Sequence, residues 1–330
     1  MLTSKFLKVA ALSAIPIAMA LGNLSAFAQA YPTKNINVIV PYPAGGALDV
    51  PARVIVKEMT ATLKQAMPIE NIVGAGGTLG LVKGLGAAPD GYTLMVTDIA
   101  STILSPMLYK NAKYKAEDFK TVAMLAHADI MLVVRKDLGV NSVDELIALG
   151  KKSIAKPLSY CTAGIGSNFH LIAERFNDLA GMKGLHVPYS GFPQCATNLV
   201  GQEIDYAFLP IAGPFPGFIE NGSIKGLATA GTKPHARFTK APQLKSIKGF
   251  EDFVFNAWSA LHVSNKVPND VVATLNQAAK LAVDSDAFKA LVASNGSTSF
   301  DAMSPAEANA HYLKEAANYR ALAKRVDITD

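Results

Sequence analysis

The sequence predicts an α/β fold built as two domains with mainly parallel sheets. Three observations carry this. Short β-branched apolar runs alternate along the chain with stretches of helical period, the signature of parallel strands joined by helices. The 330 residues, even without an N-terminal leader, exceed a single typical domain. Half of them are hydrophobic and only 17% are charged, enough apolar material for sizeable cores and too much for disorder.

The leader comes first. Lys5 and Lys8 precede an apolar run from Val9 to Leu21, interrupted by Ser13 and Pro16. Ala26-Phe27-Ala28 then offers a small-x-small cleavage pattern, and Ala28-Gln29-Ala30 repeats it two residues on. This is the layout of a secretory signal peptide over residues 1–28, with cleavage at 30 as the alternative. The run is shorter than the roughly 20 residues that span a bilayer, and no cysteine is present there for a lipid anchor. The formal charge of +5 loses Lys5 and Lys8 on cleavage, leaving +3. So small and scattered a charge does not suggest nucleic acid, and no nucleic-acid partner is expected.

The elements follow in order. Residues 36–40 read as a buried strand, 49–64 as a helix, 69–73 as a strand before the glycine cluster Gly74-Ala75-Gly76-Gly77, and 92–97 as a third strand. Residues 122–125 and 131–134 read as two more strands, and 143–150 as a helix. Next come a strand at 158–162, a glycine turn, and a helix at 168–180 with Leu171, Ile172, Phe176 and Leu179 on one face. Strands are expected at 186–189, 206–209, 224–229 and 253–262, and helices at 270–283, 286–293 and 305–326. Ser304-Pro305-Ala306-Glu307 is a strong helix start, with a Ser cap, Pro at the first position and an acid at the third. No linker of low complexity divides the chain, so the domains are expected to be joined by crossing strands.

Two loops share a design suited to anions. Val40-Pro41-Tyr42-Pro43-Ala44-Gly45-Gly46-Ala47-Leu48-Asp49 and Thr162-Ala163-Gly164-Ile165-Gly166-Ser167-Asn168 each run from strand through glycines into a helix. The first N–H groups of a helix lack internal partners and carry the positive end of its dipole. Glycines let an anion approach that backbone closely. Two such loops across a cleft would hold a carboxylate without arginine; ordinary strand–helix turns are the structural alternative. Pro51 belongs in a first helical turn, which makes Asp49 a natural N-cap, with Arg53 as its i,i+4 partner. Direct ligand contact by Asp49 is compatible with that role.

Other chemistries fit poorly. Ser167 and His170 share a helical face, but a nucleophile elbow needs glycine at minus two and plus two, where Ile165 and Phe169 stand. Ser167 reads better as a hydroxyl donor to a ligand and His170 as a hydrogen bond behind it. Gly74 to Gly80 fails the dinucleotide spacing because Leu79 occupies the third glycine position. No zinc or calcium spacing occurs, and His127, His186, His235, His262 and His311 are scattered enough to read as structural. No cofactor is expected. In an oxidising compartment Cys161 and Cys195 allow one disulfide.

A series of ordered motifs resembles one family over essentially the whole chain beyond the leader. Tyr31-Pro32 leads to Pro41-Tyr42-Pro43-Ala44-Gly45-Gly46 with Asp49 and Arg53, then Gly74-Ala75-Gly76-Gly77 and Ala88-Pro89-Asp90-Gly91-Tyr92-Thr93-Leu94. The Gly164-to-His170 loop, His186-Val187-Pro188-Tyr189-Ser190-Gly191, Gly201 to Asp205 and Gly226-Leu227-Ala228 complete it. The sequence is similar to the extracytoplasmic solute receptors of tripartite tricarboxylate transporters, the Bug or TctC family. The resemblance implies a periplasmic-binding-protein-like fold: two α/β domains with a ligand cleft between them, closing like a flytrap. The first domain would be discontinuous, 31–129 plus 229–330, and the second 130–228.

The same resemblance implies a periplasmic, monomeric binding protein that is not an enzyme. It would capture a small organic carboxylate and deliver it to the membrane components of the transporter. Carried over by residue, the site is Tyr42, Ala44, Gly45, Gly46 and Asp49, with Asp98 and Ser101, facing Gly166, Ser167, Asn168, His170, Tyr189 and Asp205. A sensor feeding a receptor kinase and an exported hydrolase are the rival readings. The chain departs from the family pattern at Phe208-Leu209-Pro210, at Pro51 and at Phe192-Pro193-Gln194-Cys195. Phe169, Phe208 and Phe215 would make the second wall more apolar, suiting an aromatic or aliphatic acid as well as a dicarboxylate; simple core packing is the alternative. If strands 158–162 and 186–189 are neighbours, Cys161 and Cys195 share one sheet edge, and a disulfide is expected between them.

Overall fold

The computed structural model describes residues 31–165, 167–189 and 191–324. The signal peptide expected at 1–28 lies outside them, as does Gly166. In chain order the elements are β1 (Asn37–Val40), α1 (Asp49–Leu63), β2 (Ile69–Asn71), α2 (Thr78–Gly86), β3 (Thr93–Asp98), α3 (Ser105–Leu108), β4 (Phe119–Arg135), α4 (Val143–Lys152), β5 (Leu158–Thr162) and α5 (Asn168–Ala180). Then come β6 (Gly184–Pro188), α6 (Phe192–Val200), β7 (Tyr206–Pro210), α7 (Phe215–Glu220), β8 (Ile224–Thr229), β9 (Asn256–Ser264), α8 (Asn269–Asp284), α9 (Asp286–Ser294), β10 (Thr298–Ser299) and α10 (Pro305–Ala323). No helix among the described residues is long and apolar enough to cross a membrane.

The sheet runs β2-β1-β3-β9-β4-β7-β5-β6, with β8 and β10 also paired to β4. The expectation of mainly parallel pairing is corrected. Among the described residues, parallel strand pairs hold only at β1–β2, β1–β3, β5–β6 and β5–β7, whereas every strand partner of β4 is antiparallel. The two strands expected at 122–125 and 131–134 are one strand, β4. Its first part pairs with β9 from Phe119 to Asp129, and its second with β7 and β8 from Ile130 onward.

Alternation along the strands sorts the side chains into cores, because successive residues point to opposite faces. Leu94 and Val96 of β3 pack with α1, α8 and α9, while Met95 faces α2 and α10. On β4, Ile130, Leu132 and Val134 join Phe176 of α5 and Phe208 of β7, while Met131 and Val133 face α6 and α7. Leu244, Phe250 and Phe253, from the segment before β9, belong to the Phe176 core. Leu171 of α5 packs instead with Tyr312 and Tyr319 of α10. Cys161 of β5 and Cys195 of α6 are joined by a disulfide, with Cα atoms 5.6 Å apart, inside the α6–α7 cluster.

Helix ends follow local chemistry. Ser304 accepts the Glu307 N–H at 3.3 Å and the Glu307 carboxylate accepts the Ser304 N–H at 2.8 Å, the reciprocal cap its sequence foretells. Gly181 closes α5 at φ 61°, where a side chain is disfavoured.

His262 of β9 is fully buried between two threonines, Thr97 at 2.8 Å from Nδ1 and Thr121 at 3.0 Å from Nε2. Burial pushes its pKa down to about 3. The folded imidazole stays neutral while the unfolded one protonates near 6.5, so its contribution is complete above 6.5 and declines as pH falls towards 3. At pH 5 we expect roughly 2 kcal/mol less stability from this group than at neutral pH. Urea midpoints measured across pH 4–7 should show the decline, and His262→Gln should flatten it; an unaltered slope in the variant would contradict the assignment.

Candidate ligand cleft

Between the two pairs of cores lies a cleft of about 540 Å³, within the range of small-molecule sites. One wall is the loop before α1, the end of β3 and the end of α9. The opposite wall is the start of α5, Phe192 of α6, Pro210 at the end of β7, and Ala212 and Gly213 beyond it. The floor is the pair of crossing strands, with Ala126, His127 and Ala128 on β4 and Ala257, Trp258 and Ser259 on β9.

The first wall is shaped by a buried carboxylate. Asp49 has no exposed surface and accepts hydrogen bonds from the Gly45 N–H at 2.8 Å, Arg53 Nε at 2.7 Å and Asn71 Nδ2 at 2.9 Å. Asn71 also donates to the Tyr42 carbonyl at 2.9 Å, so β2 holds both ends of the turn. Burial opposes ionisation of Asp49, but the donors from Arg53, Gly45 and Asn71 outweigh it and lower its pKa. Gly45 sits at φ +76°, the left-handed region natural to glycine.

Two expectations are corrected here. Leu48, not Asp49, is the N-cap of α1, without a side-chain cap bond, because the Asp49 carboxylate is turned back into the loop. Gly45 and Gly46 line the cleft, yet their N–H groups bond internally, to Asp49 and to the Pro43 carbonyl at 3.2 Å. Among the described residues, the N–H groups of Ala47 and Leu48 meet no acceptor, and both residues line the cleft. The amides left open, those of Ala47 and Leu48, thus lie inside the 42–49 loop but are not the glycine amides the resemblance carried over.

Asp98, at the end of β3, lines the same wall. Tyr42 donates its hydroxyl to the carboxylate at 3.0 and 3.1 Å, and Ser101 donates its N–H at 2.9 Å and its Oγ at 2.6 Å. Burial raises the Asp98 pKa against these donors. Burial and the neighbouring Asp98 likewise hold the Tyr42 phenol well above its usual value. Ser101 is buried and positions Asp98 rather than lining the cleft.

On the second wall Ser167 caps α5 by accepting the His170 N–H at 3.2 Å. Its neighbours Asn168 and Phe169 line the cleft, and the Phe169 ring meets Phe192 edge-on at 4.4 Å. The remaining expected residues lie elsewhere. His170 is buried and its ring stacks on His186 at 4.0 Å. Tyr189 accepts a bond from Asn198 and packs near the disulfide, and Ala44 is exposed off the cleft wall.

Asp205 and Phe208 are corrections with a common cause. Asp205 precedes β7, where it binds Arg135 Nε at 2.8 Å and the Ser159 N–H at 2.7 Å. The parallel register Tyr160↔Tyr206 puts the cleft at the carboxyl end, beyond Pro210, the usual place for a ligand in such sheets. Phe208 likewise stands short of that end, in the core with Phe176 at 5.5 Å. The cleft residues missed by sequence reasoning are chiefly Trp258, His127, Leu291, Val292 and Asn295. His127 was read as structural; it stands on the β4 floor of the cleft with its ring packed against Phe300. The polar interruption Ala126-His127-Ala128-Asp129 was the available signal. Nδ1 of His127 and Nε1 of Trp258 are buried without a partner among the described residues, and burial lowers the His127 pKa.

A cleft floored by two crossing strands and walled by two α/β cores is the build of a solute-binding receptor. The chain belongs to the tripartite tricarboxylate transporter family receptors, whose family model matches residues 51–326. A UPF0065 protein of Agrobacterium vitis is 33% identical over 258 residues, covering 77% of this chain and 73% of its own. A TctC solute-binding protein from Polaromonas superposes with a TM-score of 0.77 at 26% identity, over 90% of this chain and 100% of that one. MatC from Rhodopseudomonas palustris, solved with bound malate, gives 0.72 at 26% identity, over 88% of this chain and 99% of that one.

Proposed function

We propose that this protein is an exported, periplasmic receptor that captures a small organic carboxylate and passes it to the membrane components of a tripartite transporter, acting as a monomer and without catalysis. The observation that supports it most is the start of α1, where Ala47 and Leu48 line the cleft and their amides have no acceptor among the described residues. A fifteen-residue helix concentrates positive potential there. The malate in the Rhodopseudomonas relative is a ligand of the same class. Ser167, the one candidate nucleophile, has its Oγ engaged as a cap, which favours binding over hydrolysis.

In this reading the two core pairs act as lobes. The packing of Phe250 and Phe253 with Phe176 favours lobes of 31–129 plus 256–330 and of 130–255, with the return crossing near 256 rather than 229. Closure would bend β4 and β9, whose ladder shifts register between Thr121 and Ala123 and again between Met124 and Ala126. Such irregularities are where strands bend. A ligand touching both walls would favour the closed form by its added contacts.

The test is a thermal-shift comparison of small carboxylic acids with their carboxamides. At a concentration of about 100 Kd, a binding acid should add about 2.7 kcal/mol to stability, and its amide should add none. Amides that match their acids would refute the anion site.

A further inference from the structure

Asp98 is the one formally charged side chain among the described residues lining the cleft. Its partners Tyr42 and Ser101 all donate to it, an arrangement that suits the ionised carboxylate. No lysine, arginine or histidine forms a salt bridge with it among the described residues. A desolvated carboxylate without a counter-charge is costly, and a purely anionic ligand would add a second negative charge to the same 540 Å³ space. Four rings also line it, those of Trp258, Phe169, Phe192 and His127. Aromatic faces attract ammonium groups.

We propose that the ligand is a zwitterion: a small carboxylate that also carries a positively charged nitrogen. Its carboxylate takes the open amides of α1, and its nitrogen takes Asp98 and the aromatic side of the cleft. This rests on the carboxylate reading above and adds the charge of the ligand's other end. It also explains why, among the described residues, the cleft is lined by an acid but by no lysine or arginine. Burial raises Asp98 above its ordinary value, and an ammonium group would supply the missing counter-charge.

The experiment compares zwitterions with their carbon isosteres on the purified protein, by calorimetry and thermal shift. The pairs are glycine betaine with 3,3-dimethylbutanoate, 4-(trimethylammonio)butanoate with 5,5-dimethylhexanoate, and phenylalanine with 2-methyl-3-phenylpropanoate. In at least one pair the zwitterion should bind about tenfold or more tightly than its isostere. Asp98→Asn should bring that ratio to about one or below, with circular dichroism reporting whether the variant is folded. The wild-type pairs decide the matter even if it is not. Isosteres that bind as tightly as the zwitterions in every pair overturn the proposal, and so does silence of all six compounds at ~10 mM. Acids that bind while zwitterions do not would leave the carboxylate reading standing and remove this one. Carboxamides that bind as well as acids would remove both.

Discussion

Replacing both Cys161 and Cys195 with alanine is expected to lower stability by about 4 kcal/mol. The bond closes a loop with a sequence separation of 34, and the chain-entropy cost released to the unfolded state grows with the logarithm of that length. Within the loop lie α5, β6 and the start of α6, so the bond also fixes Phe169 and Phe192 as neighbours on the cleft wall. Urea midpoints of the double variant and of wild type, with and without reductant, measure the loss. Wild type in reductant should approach the variant, and a variant midpoint equal to that of oxidised wild type would refute the stabilising role.

Asp49→Ala is expected to reduce carboxylate affinity by on the order of a hundredfold while costing about 2–3 kcal/mol of stability. The carboxylate is fully buried and gathers Gly45, Arg53 and Asn71. Its loss strands those donors and frees the turn that presents Ala47 and Leu48. Arg53 is half exposed and can return to water, which keeps the stability cost moderate. The pKa of Asp49 is lowered on folding, so its stabilisation is present above its ordinary value of 3.8 and is lost as pH falls through the depressed folded value. Calorimetric titration with a binding acid provides the measurement. Undiminished affinity in a folded variant would show that the loop holds its shape by other means.

Much of the architecture was legible because periodicity reports burial. Val38-Ile39-Val40 and Leu158 to Thr162 form strands where their β-branched or apolar runs indicate, and Ser304 starts its helix as the motif requires. The failures have physical causes as well. Periodicity does not reveal strand direction, so β4 and β9, antiparallel to their neighbours, passed as parallel-sheet strands. The helices α2, α3, α6 and α7 were not read. Three of them are short and begin at Ser105-Pro106, Phe192-Pro193 and Phe215-Pro216, where proline occupies the first turn, a position it suits.

The site was legible only where one segment carries it. The 42–49 and 164–170 loops announce themselves by glycine and helix start. Trp258 and Asn295 reach the cleft through long-range folding, and nothing local marks them. Asp205 was misplaced because a motif names a strand without saying which end faces the ligand. His127 was read as structural with the other scattered histidines, and the polar break around it as a gap between two strands. It is where β4 emerges from one core, at the floor of the cleft, before entering the other.

That crossing strand also dictates an order of assembly. During synthesis the chain emerges N-terminus first, and β3 appears long before β9, its inner neighbour across Met95↔His262. The second half of β4 finds β7 and β8 much sooner than the first half finds β9. One end of a single strand is thus in place while the other still waits with an unpaired, apolar edge. Such an edge is a template for wrong partners, and the distant position of β9 in the chain sets how long the nascent protein must keep it from them.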